Sequence, residues 1–84
     1  MKLKEKSVRD ILNRLKWDPA FDFSKTEVVY RDRISGLKAV SGEEIDDIGH
    51  KFLYLGETVI PIHRVVEIKY SKRTVWRKLN MEKI

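Results

Sequence analysis

An α+β fold is predicted: an N-terminal helix packed on a curved antiparallel sheet or half-barrel of short strands, with a short inserted helix. Three features of the sequence carry that reading. Val8, Ile11, Leu12 and Leu15 recur at helical spacing near the start. Beyond them the apolar residues fall in short strand-like runs parted by Ser35-Gly36, Gly56-Glu57 and Ser71-Lys72-Arg73, so neighbouring runs fold back on one another as hairpins. The chain has 84 residues, enough for a single domain, 1–84, with a core expected over about 7–78. A helix followed by strands, rather than helices and strands in alternation, makes the class α+β.

Ser7 opens the first helix as its cap, and Asp10 stands three residues on, as in a capping box. Lys6, Arg9, Asn13 and Lys16 lie off the apolar stripe. Pro19 disfavours a helical Asp18, so the helix ends near Lys16 or Trp17. Asp18 to Ser24 is a loop that Phe21 and Phe23 plug onto the core. Glu27 to Arg33 is a strand: Val28, Tyr30 and Asp32 share one face, and Val29, Arg31 and Arg33 the other. Leu37 to Val40 returns beside it. Ser41 with Glu44 forms a second capping box, opening a short acidic helix through Ile45 and Ile48 that Gly49 stops. Lys51 to Leu55 and Thr58 to Ile60 make a hairpin. Arg64 to Tyr70 is the strongest strand and Thr74 to Lys78 its partner. Leu79 to Ile84 is expected to be a fraying tail.

Composition narrows the function classes. Charged residues make up 37% of the chain and hydrophobic ones 42%, too apolar for a disordered chain and ordinary for a soluble domain. No apolar run approaches the ~20 residues of a membrane span. The start, Met1 to Lys6, is charged and lacks the apolar core of a signal peptide. Without cysteine there are no disulfides and no thiolate zinc site, and a cytoplasmic location is the default expectation. The net charge is +5, unevenly spread: residues 41–60 carry one basic and five acidic side chains, residues 61–84 seven and two. A basic face opposite an acidic one fits an anionic partner such as nucleic acid. A solvated Lys- and Glu-rich surface explains the same counts equally well.

Metal and nucleophilic chemistry have little to work with. His50 and His63 are the only histidines and lack metal-ligand spacing; Asp46 and Asp47 near His50 read as a solvated acidic turn. Ser7 and Ser41 are caps; Ser35 and Ser71 are turn residues. The glycines are scattered, so no loop cradles a phosphate cofactor, and neither metal nor cofactor is expected. A two-histidine phosphoesterase needs both rings on one phosphate and a hydroxyl residue two places after each. Phe52 and Val65 stand there instead.

Basic and aromatic residues make the stronger case. Trp17, Tyr30, His63, Arg64, Trp76, Arg77 and Lys78 are types that stack on bases or hold phosphates. The guanidinium fork matches phosphate oxygens, which singles out Arg33 and Arg64. Each has a structural alternative. In so small a domain, Trp17 and Trp76 are expected in the core ahead of stacking. Strand phase sets Arg64 with Val66, Ile68 and Tyr70, facing inward, where an ion pair with Asp32 competes evenly with ligand binding. His63, in phase with Glu67 and Lys69, points outward.

Four short segments, Ile11 to Asp18, Tyr30 to Arg33, Ile60 to Val65 and Val75-Trp76, give the chain its resemblance to a known family. From about Val8 to Lys78 it resembles the small, mostly archaeal uncharacterised protein family (UPF) domain also called the RNA cyclic group end recognition domain. The resemblance implies binding of RNA ends, among them 2′,3′-cyclic phosphates, in RNA processing or repair. It places Asp32, Arg33, His63 and Arg64 at the polar motif positions and Trp17, Asp18 and Trp76 at flanking ones. Ile62 departs from the pattern where an aromatic residue is frequent. Lys78 departs where an arginine is common, keeping the charge without the planar fork.

The expected function is therefore a non-catalytic RNA-binding module for phosphate-bearing ends. Arg33 and Arg64 hold the phosphate, and His63 hydrogen-bonds a phosphate or ribose oxygen. Trp17 or Tyr30 stacks on the terminal base, while Arg77 and Lys78, with Lys72 and Arg73, attract the backbone. Asp32, Asp18 and Trp76 support the site. The alternatives are a phosphoesterase using His63 as general acid or base, and a protein-interaction adaptor using the 43–47 acidic helix. RNA is the expected partner and a membrane is not; protein partners in RNA processing and the oligomeric state stay open.

Overall fold

The computed structural model describes residues 7–78, so the expected 79–84 tail lies outside the described residues. Helix α1 spans Val8–Trp17. The Ser7 hydroxyl accepts from the Asp10 N–H at 3.1 Å, satisfying one of the free donors of the first turn. At the other end Asp18 turns extended (φ −80°, ψ 122°) as the following Pro19 requires. The apolar stripe of α1 is buried: Val8, Ile11, Leu12 and Leu15.

Seven strands follow: β1 Thr26–Asp32, β2 Gly36–Ser41, β3 Asp47–Ile48, β4 Phe52–Leu55, β5 Thr58–Pro61, β6 Val65–Tyr70 and β7 Arg73–Arg77. They form two antiparallel sheets, ordered β2-β1-β6-β7 and β3-β4-β5. All pairs but one join sequence neighbours. The exception, β1 with β6, sets Val28 opposite Ile68, and both are fully buried. Val28, Val65 and Ile68 from the larger sheet meet Ile48, Leu53 and Ile60 from the smaller one, with the α1 stripe in the same cluster. One helix on open sheets of short antiparallel strands is the α+β arrangement expected. The alternation read in β1 holds: Thr26 and Val28 are buried while Arg31 is exposed.

The inserted helix is much shorter than expected. The Ser41–Glu44 capping box forms, with Glu43 N–H to Ser41 Oγ and Ser41 N–H to Glu44 Oε2 both at 3.1 Å. It closes only a single 3₁₀ turn, Gly42–Glu44. The Asp46 N–H then donates to Tyr54 O at 2.7 Å, and the chain enters β3. Ile45, Asp46, Asp47 and Ile48 are weak helix formers, and the chain buries Ile45 and Ile48 while pairing with β4 instead of continuing the helix. Gly42 is required by packing, since a Cβ there lies 2.0 Å from the Phe23 carbonyl oxygen.

The strand expected from Arg64 begins at Val65 instead. Ile62–Arg64 is a 3₁₀ turn, and Pro61 before it has no N–H to extend the ladder. Pairing with β1 shifts between Val29 and Tyr30, so that Val29 faces Glu67 while Tyr30 faces Val65. Val66 is the extra residue of this bulge. Val65 and Val66 are consequently both buried, and the period-2 phase cannot be carried back from Ile68 to Arg64. The β6–β7 turn uses left-handed conformations at both central residues, Ser71 (φ 49°) and Lys72 (φ 71°), the geometry that suits a two-residue hairpin.

Candidate functional site

The end of β1, the turn after it, β5 and the 62–64 turn enclose a cleft of about 210 Å³. Tyr30 to Arg33 form one wall, Thr58 to Pro61 another, and Arg64 closes it. Two arginines distant in sequence thus meet at one cleft. Arg33 is exposed and Arg64 half-buried.

Asp32, between Arg31 and Arg33, is committed elsewhere. Its Oδ2 accepts from the Ser35 N–H at 2.8 Å and the Ile34 N–H at 3.1 Å, which closes the β1–β2 turn. The Ser35 backbone bond chiefly, then the Ile34 bond and the charge of Lys38, hold its carboxyl below the usual carboxylate range against a smaller opposing effect of desolvation. The ion pair weighed between Arg64 and Asp32 is not formed. Among the described residues the ion pairs within 4 Å are Arg14–Asp18 and Arg77–Glu67. The turn pulls the Asp32 carboxylate onto backbone donors, and the bulge removes the phase argument that aimed Arg64 inward at it.

His63 follows a different geometry from its neighbour Arg64. It is exposed and lines a second groove, of about 390 Å³, with His50, Lys51, Phe52, Pro61 and Ile62. Pro61 is common to both hollows. Arg33, His63 and Arg64 therefore do not converge on one concavity: the arginines share the first cleft, and His63 faces away with His50. A larger hollow, about 550 Å³, runs along Lys25 to Glu27 and Ala39 to Ser41. It contains none of the four motif residues and no arginine, and its basic side chains are Lys25 and Lys72.

The flanking residues divide similarly. Trp17, expected in the core, is 72% exposed, because the helix ends as its ring leaves the buried stripe. The Lys16 ammonium lies 5.5 Å from the ring centroid, a cation–π distance. Trp76 does pack against the core, half-buried opposite Ile68. Asp18 is structural: Oδ1 accepts from the Ala20 N–H at 2.9 Å, and Oδ2 lies 3.7 Å from Arg14 Nε. Arg77 reaches Glu67 across the β6–β7 pair at 3.5 Å. Lys78 Nζ donates to the His63 carbonyl at 2.9 Å and so braces the 62–64 turn from behind. A lysine suits that single-acceptor contact, which uses no fork.

Thr58 and Val59 were not singled out from sequence. They enter the arginine cleft only because β5 lies along the 62–64 turn, and no local signal marks them. Phe52 was likewise not marked as a partner of His63, whereas the sequence did raise a pairing of His50 with His63; the register pair Phe52–Pro61 brings them to one groove. The 43–47 segment runs from a 3₁₀ turn into β3 and is not the helix expected to carry an adaptor surface. The Asp46 carboxylate accepts from the Gly56 N–H at 2.6 Å, and that of Asp47 from the Ile48 N–H at 2.9 Å. Among the described residues no group of three or more acidic or histidine side chains is placed to hold a metal ion, and no helix is long and apolar enough to cross a membrane.

Comparison with known proteins locates this geometry in a family. The model of the MJ1316 RNA cyclic group end recognition domain matches residues 3–78. A UPF0248 protein of Archaeoglobus fulgidus is 47% identical over 68 residues, covering 80% of this chain and 99% of the relative. A UPF0248 protein of Metallosphaera sedula is 34% identical over 73 residues, covering 86% and 92%. One of Methanopyrus kandleri is 36% identical over 63 residues, covering 73% and 85%. No solved structure matches the chain significantly.

Proposed function

The chain belongs to the MJ1316 RNA cyclic group end recognition domain family, and from that premise we propose that it is a non-catalytic module that binds phosphate-bearing RNA ends, 2′,3′-cyclic phosphates included. One observation carries the reading: Arg33 and Arg64 line a single cleft, and neither makes an ion pair among the described residues. The Arg33 and Arg64 guanidinium groups, with Arg31 in the same lining, stand beside a carboxylate already satisfied by backbone N–H donors and leave positive charge for an incoming anion. Their forks match the oxygens of a terminal phosphate. Tyr30, half-buried in the same wall, meets the attached ribose. Exposed Trp17 offers a stacking face, and Arg77, Lys72 and Arg73 add attraction along the backbone. His63, turned to the neighbouring groove, serves the nucleotide beside the phosphate rather than the phosphate itself.

The test is anisotropy with short single-stranded RNAs that differ only in their 3′ end: hydroxyl, phosphate or 2′,3′-cyclic phosphate. Phosphate-bearing ends bind more tightly, and affinity falls with salt by a log–log slope of roughly −0.7 per phosphate contacted. Affinity indifferent to both salt and end chemistry refutes the proposal.

A second reading, a phosphoesterase with His63 as general acid or base, draws on the shared groove of His50 and His63. That groove lacks the two arginines, and Phe52 and Val65 occupy the positions where a hydroxyl is needed. Resolving the RNA ends after incubation decides between the two readings. Turnover that disappears in a folded His63→Ala protein favours the enzyme.

A further inference from the structure

The groove holding both histidines is unused by the phosphate contact. Its floor and walls are apolar: Phe52, Pro61 and Ile62, with His50, Lys51 and His63 around them. Alternation along β4 explains why Phe52 is available. Leu53 is fully buried, so Phe52 and Tyr54 face outward, with Phe52 38% exposed. The walls are held by two backbone bonds, Ile62 N–H to Lys51 O at 2.9 Å and Gly49 N–H to Phe52 O at 2.8 Å, and by the Lys78 side chain, whose Nζ donates to His63 O at 2.9 Å. A groove fixed in this way needs no reordering to receive a flat ring. Its volume, about 390 Å³, lies in the range of small-molecule sites.

We infer that this groove seats the nucleobase of the terminal nucleotide whose phosphate is held by Arg33 and Arg64. The inference rests on the RNA-end reading and extends it to a second subsite. Three observations select the occupant. An exposed phenyl ring and two imidazoles are the side chains on which unpaired bases stack. The imidazole nitrogens and the Lys51 ammonium supply donors for the polar edge of a base at the rim. The groove also continues from the phosphate cleft: Pro61 lines both, and His63 and Arg64 are consecutive, their Cα atoms about 3.8 Å apart. A single nucleotide can therefore straddle the 62–64 turn, phosphate on one side and base on the other. The apolar walls are a poor setting for an anion, which argues against a scissile phosphate between the histidines.

Two RNAs test this. Both carry the same terminal 3′-phosphate; one has a normal terminal base, the other a terminal 1-deoxyribose that keeps the 2′-hydroxyl and lacks the base. Wild-type protein binds the base-bearing RNA about 5- to 150-fold more tightly, the value of one stacked base. Phe52→Ala brings that ratio close to one, whereas Arg64→Lys weakens both RNAs and leaves the ratio in place. The imidazole NMR signals of His50 and His63 shift with the base-bearing RNA only. Equal binding of the two RNAs by wild type, or a preference that survives Phe52→Ala, overturns the base subsite while phosphate recognition stands. Failure of wild type to bind either RNA overturns the phosphate reading and the subsite together. The His50 and His63 shifts are read on wild type, so a Phe52→Ala protein that failed to fold would still leave the groove tested: a base preference without those shifts overturns the subsite.

Discussion

Replacing Arg64 by alanine separates a ligand-binding arginine from a structural one. An arginine in a buried ion pair would cost about 3–5 kcal/mol on truncation, because its partner is left charged and buried. At about 4–8 °C per kcal/mol for a domain of this size, melting would then fall by at least about 12 °C. The structure leads to a different expectation. Arg64 has no ion-pair partner among the described residues, and Asp32 is satisfied by Ile34 and Ser35. The stability cost reduces to packing of a half-buried aliphatic stem, about 1 kcal/mol or less, or a drop under about 8 °C. Binding changes far more. A charge-assisted hydrogen bond is worth about 1.5–3 kcal/mol, so affinity for a phosphate-bearing RNA end should weaken about 10- to 150-fold. Circular-dichroism melts and anisotropy on the same preparation measure both quantities. A melting drop of 12 °C or more would show that Arg64 holds the fold together. Unchanged affinity in a folded variant would remove it from the phosphate site.

Leu12→Ala empties a fully buried position between helix and sheets and should cost about 2–5 kcal/mol, read by urea unfolding; a cost under 1 kcal/mol would contradict the packing described. Trp17→Ala removes a side chain that is 72% exposed, so melting stays within a few degrees while RNA affinity falls about 5-fold or more if the ring stacks on a base; unchanged affinity would exclude Trp17 from the interface. Asp32 carries a pH signature. Its folded pKa lies below 3.8, the value it has when unperturbed, so the unfolded chain takes up the proton first. The stabilisation is complete above that value and is lost as pH falls through the lower folded one. The stability gap between wild type and Asp32→Ala should therefore be constant near neutrality and close below pH 3.8. A gap that widened with acid would reverse the assigned sign.

Much of the fold was legible because its signals are local. The α1 stripe, the Ser7 cap and the stop before Pro19 involve contacts within four residues, and each appears where the spacing placed it. The hairpin turns are local too, and the alternation in β1 put Tyr30 on the buried side and Arg31 outside. Failures occurred where a distant strand competed. The capping box at Ser41 was read correctly, yet the helix behind it stopped after one turn because Tyr54 offers Asp46 a cross-strand bond. Strand phase placed His63 outward and Arg64 partly inward, close to what the structure has, but for an invalid reason. A bulge at Val66 and a 3₁₀ turn intervene, and neither is marked in the local sequence. Trp17 was assigned to the core on size, while its position just past the stripe carried the better signal.

The sequence by itself determined the α+β class, the helix and its buried face, and the residue types able to meet an anion. Those depend on period, capping and charge, which are properties of neighbouring residues. The tertiary structure decided which of those residues act together. The β1–β6 pairing and the run of β5 into the 62–64 turn bring Arg33 to Arg64, and the Phe52–Pro61 register brings His50 to His63. Whether two side chains share a site depends on strand register and on where a bulge falls, and those are set by burial across the whole core rather than by any segment alone.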